Sequence, residues 1–400
     1  MATRIFITGI GLFSSIGNNV EESLASLLSL RHGLGDIEYL DTIHKKEIPV
    51  SGIRFSDQEL GEKLGISDVE GYTRTSLIAL IAAREAAKSA QWNSNESEIR
   101  SGVISATTVG GMATTESIYH EMLSDPSKHH WANCHDCGDS TEKIAELLGA
   151  KDFVSTISTA CSSSANAILL GARMIKAGIL DRVIAGGADA LSKFTINGFN
   201  TLKILDSQHC RPFDDTRTGL NLGEGAGYLV LESEDLINRT GKKPLGELKG
   251  YGNTCDAYHQ TASSPDGVGA FLAMQKALAS AHLQPEEIDY VNAHGTGTPN
   301  NDLSEGRAMN RLFNGKIPPF SSTKSFTGHT LAAAGGIEAV LSILSLQHGI
   351  IYPNLNFLTS MNEIDIAPET ILKKGQPIKN ILSNSFGFGG NNSALVFSKV

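Results

Sequence analysis

Two patterns of hydrophobic residues alternate along most of the chain. Short apolar segments rich in β-branched residues predict strands, and longer segments with apolar residues three and four positions apart predict helices. The predicted strands cover residues 4–10, 102–108, 153–159, 181–191, 227–231, 246–253 and 289–293, with a hairpin at 381–398. The predicted helices cover residues 20–30, 72–90, 162–176, 198–205, 269–281, 303–312 and 331–346. This alternation predicts an α/β protein in which helix layers cover packed sheets.

The chain contains two versions of one structural plan. In residues 153–178 and again in residues 319–349, a short strand and a polar turn lead into a helix of small residues that ends near a glycine. Four hundred residues are too many for one ordinary core, so two similar halves are expected. The polar break KKP at 242–244 divides the chain into residues 1–240 and 241–400.

Cys161 lies at the turn between strand and helix in the first of these segments. The N–H groups and the dipole of a helix N-terminus favour a thiolate there, so we expect a pKa below the usual value of about 8.5. The small residues at 162–165 leave room for a reacting group and leave N–H donors free to hold an oxyanion. A single cysteine is more often a buried structural thiol, and only partners elsewhere in the chain can reverse that expectation.

Composition and charge exclude several functional classes. The formal net charge of −10 gives no basic surface for nucleic acid and no general affinity for anionic membranes. The N-terminus enters a strand pattern without a signal peptide, and no apolar stretch is expected to span a bilayer. We therefore predict a cytoplasmic protein whose five cysteines are free thiols.

The pair Cys134-x-x-Cys137, with His135 between its members, resembles half of a zinc site or a redox pair. No second half follows at metal-binding spacing, and no thioredoxin-like context surrounds it. We therefore expect a loop or partly buried thiols here, and no metal.

Three segments of the second half carry chemically useful groups. VNAHGTGTPNNDLSEG places His294 just beyond a predicted strand, followed by Thr296, Thr298 and Glu305. SSTKSFTGH combines a lysine and a histidine in a turn that contains glycine, and NSFGFGGNN is a glycine-rich loop with two phenylalanines. Each histidine alone would more often be structural. The hypothesis of a catalytic site therefore depends on the two histidines occurring together with Cys161, the lysine and Glu305.

Together with Cys161 these groups suit carbon–carbon bond formation on thioesters. A thiolate can accept an acyl group. The imidazoles of His294 and His329 can hold the carbonyl oxygen of a second thioester while its carboxylate leaves and an enolate forms. Glycine-rich backbone can supply donors for a tetrahedral oxyanion and can open and close.

The motif set resembles that of the β-ketoacyl-[acyl carrier protein] synthases, in the elongating type I/II branch of the thiolase superfamily. The matching segments are TACSSSANAI around Cys161, NAHGTGTPNND around His294, SSTKSFTGH, NSFGFGG, RPFD at 211–214 and GEGAG at 223–227. The resemblance implies a thiolase-like five-layered αβαβα fold built from two similar halves, usually as a homodimer. It also implies decarboxylative condensation of an acyl group with malonyl-ACP, in which ACP is the acyl carrier protein.

The resemblance implies a role for each site residue. Cys161 would accept the acyl group, and His294 and His329 would stabilise the enolate. Lys324, paired with Glu305, would position His294. The N–H groups of Cys161 and Phe388 would form the oxyanion hole, and Phe388 would gate the acyl pocket.

The implied substrate contacts extend this set. Thr296 and Thr298 would hydrogen-bond the phosphopantetheine arm, which arrives on ACP and is not a cofactor of this chain. The other implied substrate-binding residues are Val109, Gly198, Phe199, Phe386 and Gly389. Some family members hold a monovalent cation near the site, but no spacing in this chain predicts one.

The same residues separate the branches of the superfamily. Initiating type III synthases pair their cysteine with His and Asn, whereas this chain has a second histidine and a lysine. Thiolases use a second cysteine near the C-terminus, and no cysteine follows Cys255. A non-catalytic chain-length partner subunit would lack the nucleophile, and Cys161 is present.

Three departures from the family pattern concern the substrate. Asn391 stands where a small hydroxyl residue is usual, Asn221 stands where an apolar residue is common, and the segment SKHHWANCHDCG at 127–138 is unusually polar and aromatic. Fatty-acid elongation is the leading prediction, and an aryl-polyene or type II polyketide pathway is the alternative.

The docking surface for the acidic ACP also departs from the family. Basic residues are common near the start of the long N-terminal helix, but this chain has Asp68 and Glu70 beside Arg74. Lys203 and Arg211 are the substitutes that we predict.

Overall fold

A computed structural model describes residues 3–94, 96 and 98–400 of the chain. The strands in these residues are β1 (Ile5–Ser14), β2 (Ser101–Ala106), β3 (Phe153–Ile157), β4 (Arg182–Asp189), β5 (Gly225–Ser233), β6 (Gly246–Cys255), β7 (Tyr290–Asn292), β8 (Phe320–Ser321), β9 (Asn380–Phe386) and β10 (Asn391–Ser398). The α-helices are α1 (Val20–Leu28), α2 (Asp57–Leu64), α3 (Arg74–Ser89), α4 (Met112–Ser124), α5 (Gly138–Leu148), α6 (Ser163–Lys176), α7 (Lys193–Thr201), α8 (Glu234–Thr240), α9 (Val268–Ala281), α10 (Pro299–Leu312), α11 (Lys324–Thr327) and α12 (Ala334–His348). Short 3-10 helices cover Pro126–His135, Pro285–Glu287, Leu331–Ala333 and Phe388–Gly390.

The two halves have the same strand order when the sheet is followed outward from its middle. The first half follows β1-β5-β4-β2-β3, and the second follows β6-β10-β9-β7-β8, so β6 to β10 correspond to β1 to β5. The strands hydrogen-bond in the order β3-β2-β4-β5-β1-β6-β10-β9-β7-β8. In the first half β2 runs parallel to β3 and β4, and in the second half β7 runs parallel to β8 and β9. The halves meet at β1 and β6 through only two residue pairs, Phe6 with Glu247 and Ile7 with Gly246. The two half-sheets therefore repeat one topology.

Alternating side chains place the half-sheets between three helix layers. In β5, Leu229 faces a central apolar cluster that contains α6 and α12, whereas Tyr228 faces an outer cluster with α3 and α5. In β10, Leu395 faces the central cluster, whereas Ala394 faces an outer cluster with α9 and α10. The layers are thus helix, sheet, helix, sheet and helix, which is the predicted five-layered αβαβα arrangement.

Small residues allow the two central helices to pack closely at their N-termini. The N–H of Gly336 in α12 donates to Ser164 Oγ in α6 at 2.8 Å. A methyl group added at Gly336 would lie 2.4 Å from the carbonyl oxygen of Gly227 in β5. This contact explains why the sequence has small residues at the start of both helices, and it brings the turns that precede the helices to one place.

The predicted elements differ from the structure mainly in the polar segments. Helices α2, α4, α5 and α8 were missed, and the segment 127–138 lies mostly in the 3-10 helix Pro126–His135 rather than in a loop. The helix predicted at 198–205 begins earlier, at Lys193, and ends at Thr201. The proposed boundary at 240/241 lies at the end of α8, and it stays a prediction.

One segment is apolar enough to be tested as a membrane span, although the sequence predicts none. Leu331–His348 passes that test by length and composition, and 89% of it is buried inside the protein. It includes the central helix α12, so its apolar character is explained by burial between the half-sheets.

Candidate active site

Cys161 lies in the tight turn that joins β3 to α6. Ala160 has φ 52°, a left-handed conformation that non-glycine residues seldom adopt. Ser163 Oγ, at the start of α6, accepts a hydrogen bond of 2.8 Å from the N–H of Thr159 and so stabilises the turn. Cys161 is 5% exposed and lines a cavity of about 270 Å³.

The Cys161 thiol is protonated in the resting protein. Burial raises its pKa to about 11, and the charge of Lys324 and the N–H of Phe388 offset this only in part. The predicted lowering of the pKa was therefore wrong. Removal of water from the enclosed sulfur destabilises the thiolate by more than the nearby donors stabilise it. Acylation of Cys161 must accordingly release the thiol proton.

Two neutral histidines line the same cavity, with ring centroids 5.4 Å apart. Burial and the charge of Lys324 lower the pKa of His294 and of His329 well below the usual value. His294 Nδ1 lies 3.2 Å from Lys324 Nζ, which can only donate. His329 Nδ1 accepts from the N–H of Leu331 at 3.2 Å. In both rings the proton is therefore on Nε2, and each ring can donate one hydrogen bond into the cavity.

Lys324 forms its ion pair with Glu338 and not with Glu305, so the predicted pairing was wrong. Lys324 Nζ donates to Glu338 Oε1 in a short ion pair and to the carbonyl oxygen of His294 at 2.7 Å. Glu305 instead accepts from the N–H groups of His294 and Gly295 at 2.9 and 2.8 Å. Burial raises the pKa of Glu305 to about 7 and that of Glu338 to about 6. Both carboxyl groups thus hold His294, but only Glu338 does so through the lysine.

The glycine-rich loop carrying Phe388 packs against the nucleophile turn. The N–H of Phe388 is aimed at the Cys161 sulfur. The Phe388 ring stacks on Phe199, with centroids 5.8 Å apart and planes inclined at 18°. A methyl group added at Gly387 would lie 3.0 Å from the carbonyl oxygen of Thr159. This loop therefore supplies both a donor beside the sulfur and an aromatic wall.

Phe388 and Phe199 stand between two cavities that meet at Cys161. The second cavity is about 390 Å³ and is lined mainly by apolar side chains. Its lining residues are Thr108, Val109, Ala160, Cys161, Phe194, Thr195, Gly198, Phe199, Leu202, Leu331 and Phe388. The first cavity leads from Cys161 past the histidines to the surface, and its wall includes Thr296 and Thr298. The geometry suits an acyl chain on one side of the sulfur and a polar arm on the other.

The remaining predicted substrate residues are not all at the cavities. Phe386 lines the first cavity, and its ring centroid lies 5.9 Å from that of His294. Thr296 Oγ1 and Thr298 Oγ1 lie 2.8 Å apart. Gly389 lines neither cavity, and its N–H donates to the carbonyl oxygen of Gln260 at 2.8 Å.

Two buried carboxylates that sequence reasoning missed hold the cavity loops. Asp189 accepts from Thr108 Oγ1 at 2.6 Å on the acyl side and from the N–H of Ala332 at 2.8 Å on the His329 side. Asp302 accepts from the N–H groups of Thr296 and Phe213 at 2.9 and 2.7 Å. The sequence signals were an acidic residue at the end of a buried strand for Asp189 and the NND motif for Asp302.

The Cys134-x-x-Cys137 pair is not arranged as a metal site. Cys134 is buried and its sulfur donates to the carbonyl oxygen of Gly71 at 3.2 Å. His135 Nδ1 instead contacts Thr115 Oγ1 at 2.8 Å. Among the described residues, no group of three His, Cys, Asp or Glu side chains is placed to hold a metal ion.

Three buried oxygen atoms, on Glu338 and on two asparagines that donate to Glu338 and to Glu305, lack a hydrogen-bond partner. They are Asn292 Oδ1, Glu338 Oε2 and Asn384 Oδ1. Oxygen donors of this kind suit a hard cation, and so they fit the monovalent ion that some family members hold. Bound here, such an ion would add a fixed positive charge behind His294.

The other departures from the family pattern are explained by local contacts. Asn221 is buried, where its Oδ1 accepts from the N–H of Cys210 at 2.8 Å and its carbonyl oxygen accepts from the N–H of His329 at 2.7 Å. Lys203 is exposed and lines the mouth of the first cavity. Arg211 Nη2 is paired with Asp206 at 3.2 Å.

Comparisons with known proteins agree with this geometry. The family "Beta-ketoacyl synthase, N-terminal domain" matches residues 2–236, and "Beta-ketoacyl synthase, C-terminal domain" matches residues 245–358. The chain is 36% identical to 3-oxoacyl-[acyl-carrier-protein] synthase 2 of Staphylococcus aureus (strain COL), over 99% of this chain and 98% of that protein.

Two solved structures extend the likeness. The ishigamide ketosynthase/chain length factor superposes with a TM-score of 0.93 at 30% identity, covering 100% of both chains. A type II PKS acyl-carrier protein in complex with its ketosynthase, AntDE:AntF, gives a TM-score of 0.87 at 26% identity and also covers 100% of both chains. The chain belongs to the β-ketoacyl synthase family, and it is a condensing acyltransferase with the thiolase-like fold.

Proposed function

We propose that this chain joins an acyl group carried on Cys161 to malonyl-ACP and releases CO2 and β-ketoacyl-ACP. The observation that carries the proposal is the convergence of three kinds of group on one cavity. They are the Cys161 thiol, the Nε2–H donors of His294 and His329, and the N–H of Phe388. Each of them matches one charge that develops during a decarboxylative Claisen condensation.

The first step transfers the acyl group to the enzyme. The Cys161 sulfur forms a bond to the carbonyl carbon of acyl-ACP, and the bond from that carbon to the phosphopantetheine sulfur breaks. The proton of the Cys161 thiol ends on the departing phosphopantetheine thiol. The N–H groups of Cys161 and Phe388 would hold the tetrahedral oxyanion, which needs donors already aimed at its position.

The second step uses the histidines. Malonyl-ACP loses CO2, and the electron pair of the broken carbon–carbon bond forms an enolate whose oxygen accepts from the Nε2–H groups of His294 and His329. Neutral rings suit this role because they donate hydrogen bonds without requiring a proton transfer. The enolate carbon then bonds to the acyl carbon, and the Cys161 thiolate leaves and takes up one proton.

ACP is the proposed carrier of both substrates. The solved AntDE:AntF complex joins a ketosynthase to an acyl-carrier protein, which supports this choice of partner. The phosphopantetheine arm would pass Thr296 and Thr298, and Lys203 at the mouth is the better of the two predicted docking residues. Arg211 already neutralises Asp206, so it has less charge to offer an acidic partner.

A homodimer is the proposed assembly, in the cytoplasm. β3 is an edge strand with Val154 41% exposed, and Phe194 in the wall of the acyl cavity is 67% exposed. A second copy on this face would cover both. The likeness to a ketosynthase/chain length factor makes a heterodimer the competing assembly.

Fatty-acid chain elongation is the proposed pathway, by analogy with the synthase of Staphylococcus aureus. An aryl-polyene or type II polyketide pathway is the second candidate. The acyl cavity favours it in one respect, because Phe194, Phe199 and Phe388 offer aromatic faces to a flat conjugated chain. A non-catalytic partner subunit is the third and weakest, since the nucleophile is in place.

Intact-mass spectrometry tests the proposal directly. The protein is incubated with saturated, aromatic and polyenoic acyl-ACPs, and malonyl-ACP is then added. Uptake of a saturated acyl group, with its loss and formation of β-ketoacyl-ACP on addition of malonyl-ACP, is the expected result. Uptake of only aromatic or polyenoic groups would instead support the second candidate, an aryl-polyene or type II polyketide pathway.

The variant Cys161→Ala is the control, because it removes the thiol and should take up no acyl group from any donor. Acylation of the wild-type protein at another cysteine, or none at all, would overturn the catalytic proposal and favour the partner subunit.

A further inference from the structure

A cluster of uncharged side chains lies behind Cys161 and centres on one oxygen atom. Asn391 Oδ1 lies within 2.9 Å of three donors, Asn166 Nδ2 at 2.8 Å, Asn253 Nδ2 at 2.9 Å and Ser162 Oγ at 2.8 Å. The single hydroxyl proton of Ser162 is shared between Asn391 Oδ1 and the carbonyl oxygen of Thr159, which also lies 2.8 Å from Ser162 Oγ. Asn391 is thus the hub of the cluster.

The hub connects the two segments that carry the oxyanion donors. Through its side chain, Asn391 contacts Ser162, the residue after Cys161, and Asn166, one turn further along α6. Through its backbone, the carbonyl oxygen of Asn391 accepts from the N–H of Gly387 at 2.8 Å and closes the loop that carries Phe388. A single residue therefore fixes the loop to the nucleophile turn.

The two segments also touch directly. A methyl group added at Gly387 would lie 3.2 Å from the nitrogen of Cys161. Any outward movement of the loop would separate the N–H of Phe388 from the N–H of Cys161, which must face one point to hold one oxyanion. Misplacement of a catalytic group by about 1 Å can cost about 10²-fold in rate.

We propose that Asn391 is a positioning residue that sets the geometry of the oxyanion hole by holding the Phe388 loop against the Cys161 turn. This inference rests on the proposed function, because it assigns these N–H groups to the tetrahedral oxyanion of acyl transfer. It gives a role to a residue at which the chain departs from the family pattern.

The chemistry of an asparagine suits this position better than a small hydroxyl residue. The Oδ1 atom lies one bond further from the backbone than a hydroxyl oxygen and needs no acceptor of its own. A threonine would therefore reach fewer of the three donors. The side chains of the cluster, Thr159, Ser162, Asn166, Asn253, Asn391 and Ser393, are all uncharged, so the hub adds no repulsion toward the oxyanion.

The variants Asn391→Ala and Asn391→Thr test the proposal. Single-turnover acylation of Cys161 by acyl-ACP should fall about 10- to 100-fold in Asn391→Ala and less in Asn391→Thr. Decarboxylation of malonyl-ACP should change less than about threefold, because it uses the donors of His294 and His329 rather than the oxyanion hole. The split between the two steps is a result that general destabilisation would not produce.

The matched control is Asn380→Ala, at the far end of the same hairpin. Asn380 Nδ2 donates to the carbonyl oxygen of Glu287 at 2.9 Å, so this variant also deletes a bonded asparagine side chain. It should keep both rates. Acylation of Asn391→Ala at the wild-type rate would overturn the proposal, and so would an equal loss of both steps.

The wild-type arm separates this inference from the proposed function. If the wild-type protein takes up no acyl group, the proposed function fails and the inference fails with it. If the wild-type protein is acylated and Asn391→Ala matches it, only the inference fails. Should Asn391→Ala not fold, as judged by thermal unfolding, Asn391→Thr carries the test with the same expected split.

Discussion

At the scale of single residues, the ammonium group of Lys324 determines how His294 can act. It lies 3.2 Å from Nδ1 and 2.7 Å from the carbonyl oxygen of the same residue. Because a lysine only donates, Nδ1 must accept and Nε2 must carry the proton. Glu338 in turn fixes the ammonium group. The donor offered to an enolate is thus set by a chain of three side chains.

Replacement of Lys324 by methionine should affect the two half-reactions differently. Without the ammonium group, His294 is free to carry its proton on Nδ1 and to offer no donor from Nε2. We expect decarboxylation of malonyl-ACP to fall about 10²- to 10³-fold, the usual cost of one lost oxyanion donor. Acylation of Cys161, which uses backbone donors, should fall much less. Release of CO2 and intact mass measure the two steps.

The double variant Lys324→Met with Glu338→Gln is the matched control for charge. The single variant leaves the Glu338 carboxylate buried without its partner, which can cost about 3–5 kcal/mol of stability. The double variant removes that cost and should restore thermal stability but not decarboxylation. Recovery of decarboxylation in the double variant would mean that Lys324 acts through folding alone.

The predicted partner of Lys324 was wrong for a reason that sequence spacing cannot reveal. Glu305 and Glu338 both lie in helices that begin near the site, and both are fully buried. The choice between them depends on where α10 and α12 are placed by tertiary packing, α10 against α9 and α12 against β5, β9 and α6. Similarly, the low pKa expected for Cys161 followed from its helix N-terminus, whereas enclosure of the sulfur decides the direction.

At the scale of elements, the close approach of α12 to β5 is the contact most sensitive to side-chain volume. A methyl group at Gly336 would meet the backbone of Gly227 at 2.4 Å, and backbone atoms cannot rotate away. We expect Gly336→Ala to lower the free energy of unfolding by about 1–3 kcal/mol, the range found for overpacked cores. Urea denaturation would measure the change.

Gly198→Ala is the control for this substitution. Gly198 is also a helical glycine, in α7, but nothing lies within 4 Å of the position where its methyl group would be. Alanine there should leave stability unchanged or raise it by up to about 1 kcal/mol, because it restricts the unfolded chain. An equal loss of stability in both variants would contradict the packing argument.

The elements that sequence patterns predicted best are those with the strongest apolar periodicity. The core strands and helices α3, α6, α9 and α12 were all found, with ends shifted by a few residues. Helix α4 was missed because none of its residues is buried, so it has no apolar stripe to detect. Its position depends on contacts with the 3-10 helix Pro126–His135, which follows it directly, and with α7, which is distant in sequence.

At the scale of the whole molecule, the active site combines groups from both halves of the chain, whereas the acyl cavity is lined mainly by residues of the first half. The nucleophile comes from the first half and the histidines from the second. The acyl cavity is walled by α7, whose Phe194 is 67% exposed, on the side of the edge strand β3. The sequence motifs identified residues that line one cavity, but they could not predict where that cavity opens.

The edge strand β3 exposes the apolar side chain of Val154 beside the acyl cavity. An exposed edge of this kind favours association of two subunits on the face that β3 forms. Val154→Arg would place a charge on β3, where burial without a partner is costly. For the proposed homodimer, we expect sedimentation to show a shift from dimer to monomer, with a dissociation constant raised at least about 100-fold. Acylation by long-chain acyl-ACP should fall about tenfold, because the proposed second subunit would no longer cover the exposed Phe194 of the cavity, whereas a two-carbon acyl group should be accepted as before.

Ile371→Arg is the matched control, because Ile371 is 70% exposed and lies in the second half of the chain, away from β3. It should leave both the sedimentation and the chain-length profile unchanged. A monomeric Val154→Arg protein that still accepts long acyl groups would show that one subunit closes its own cavity. The wild-type protein could instead be a monomer that long-chain acyl-ACP acylates only when a second, different subunit is present. In that case the heterodimer is the correct assembly, and Val154→Arg should abolish the stimulation by the second subunit.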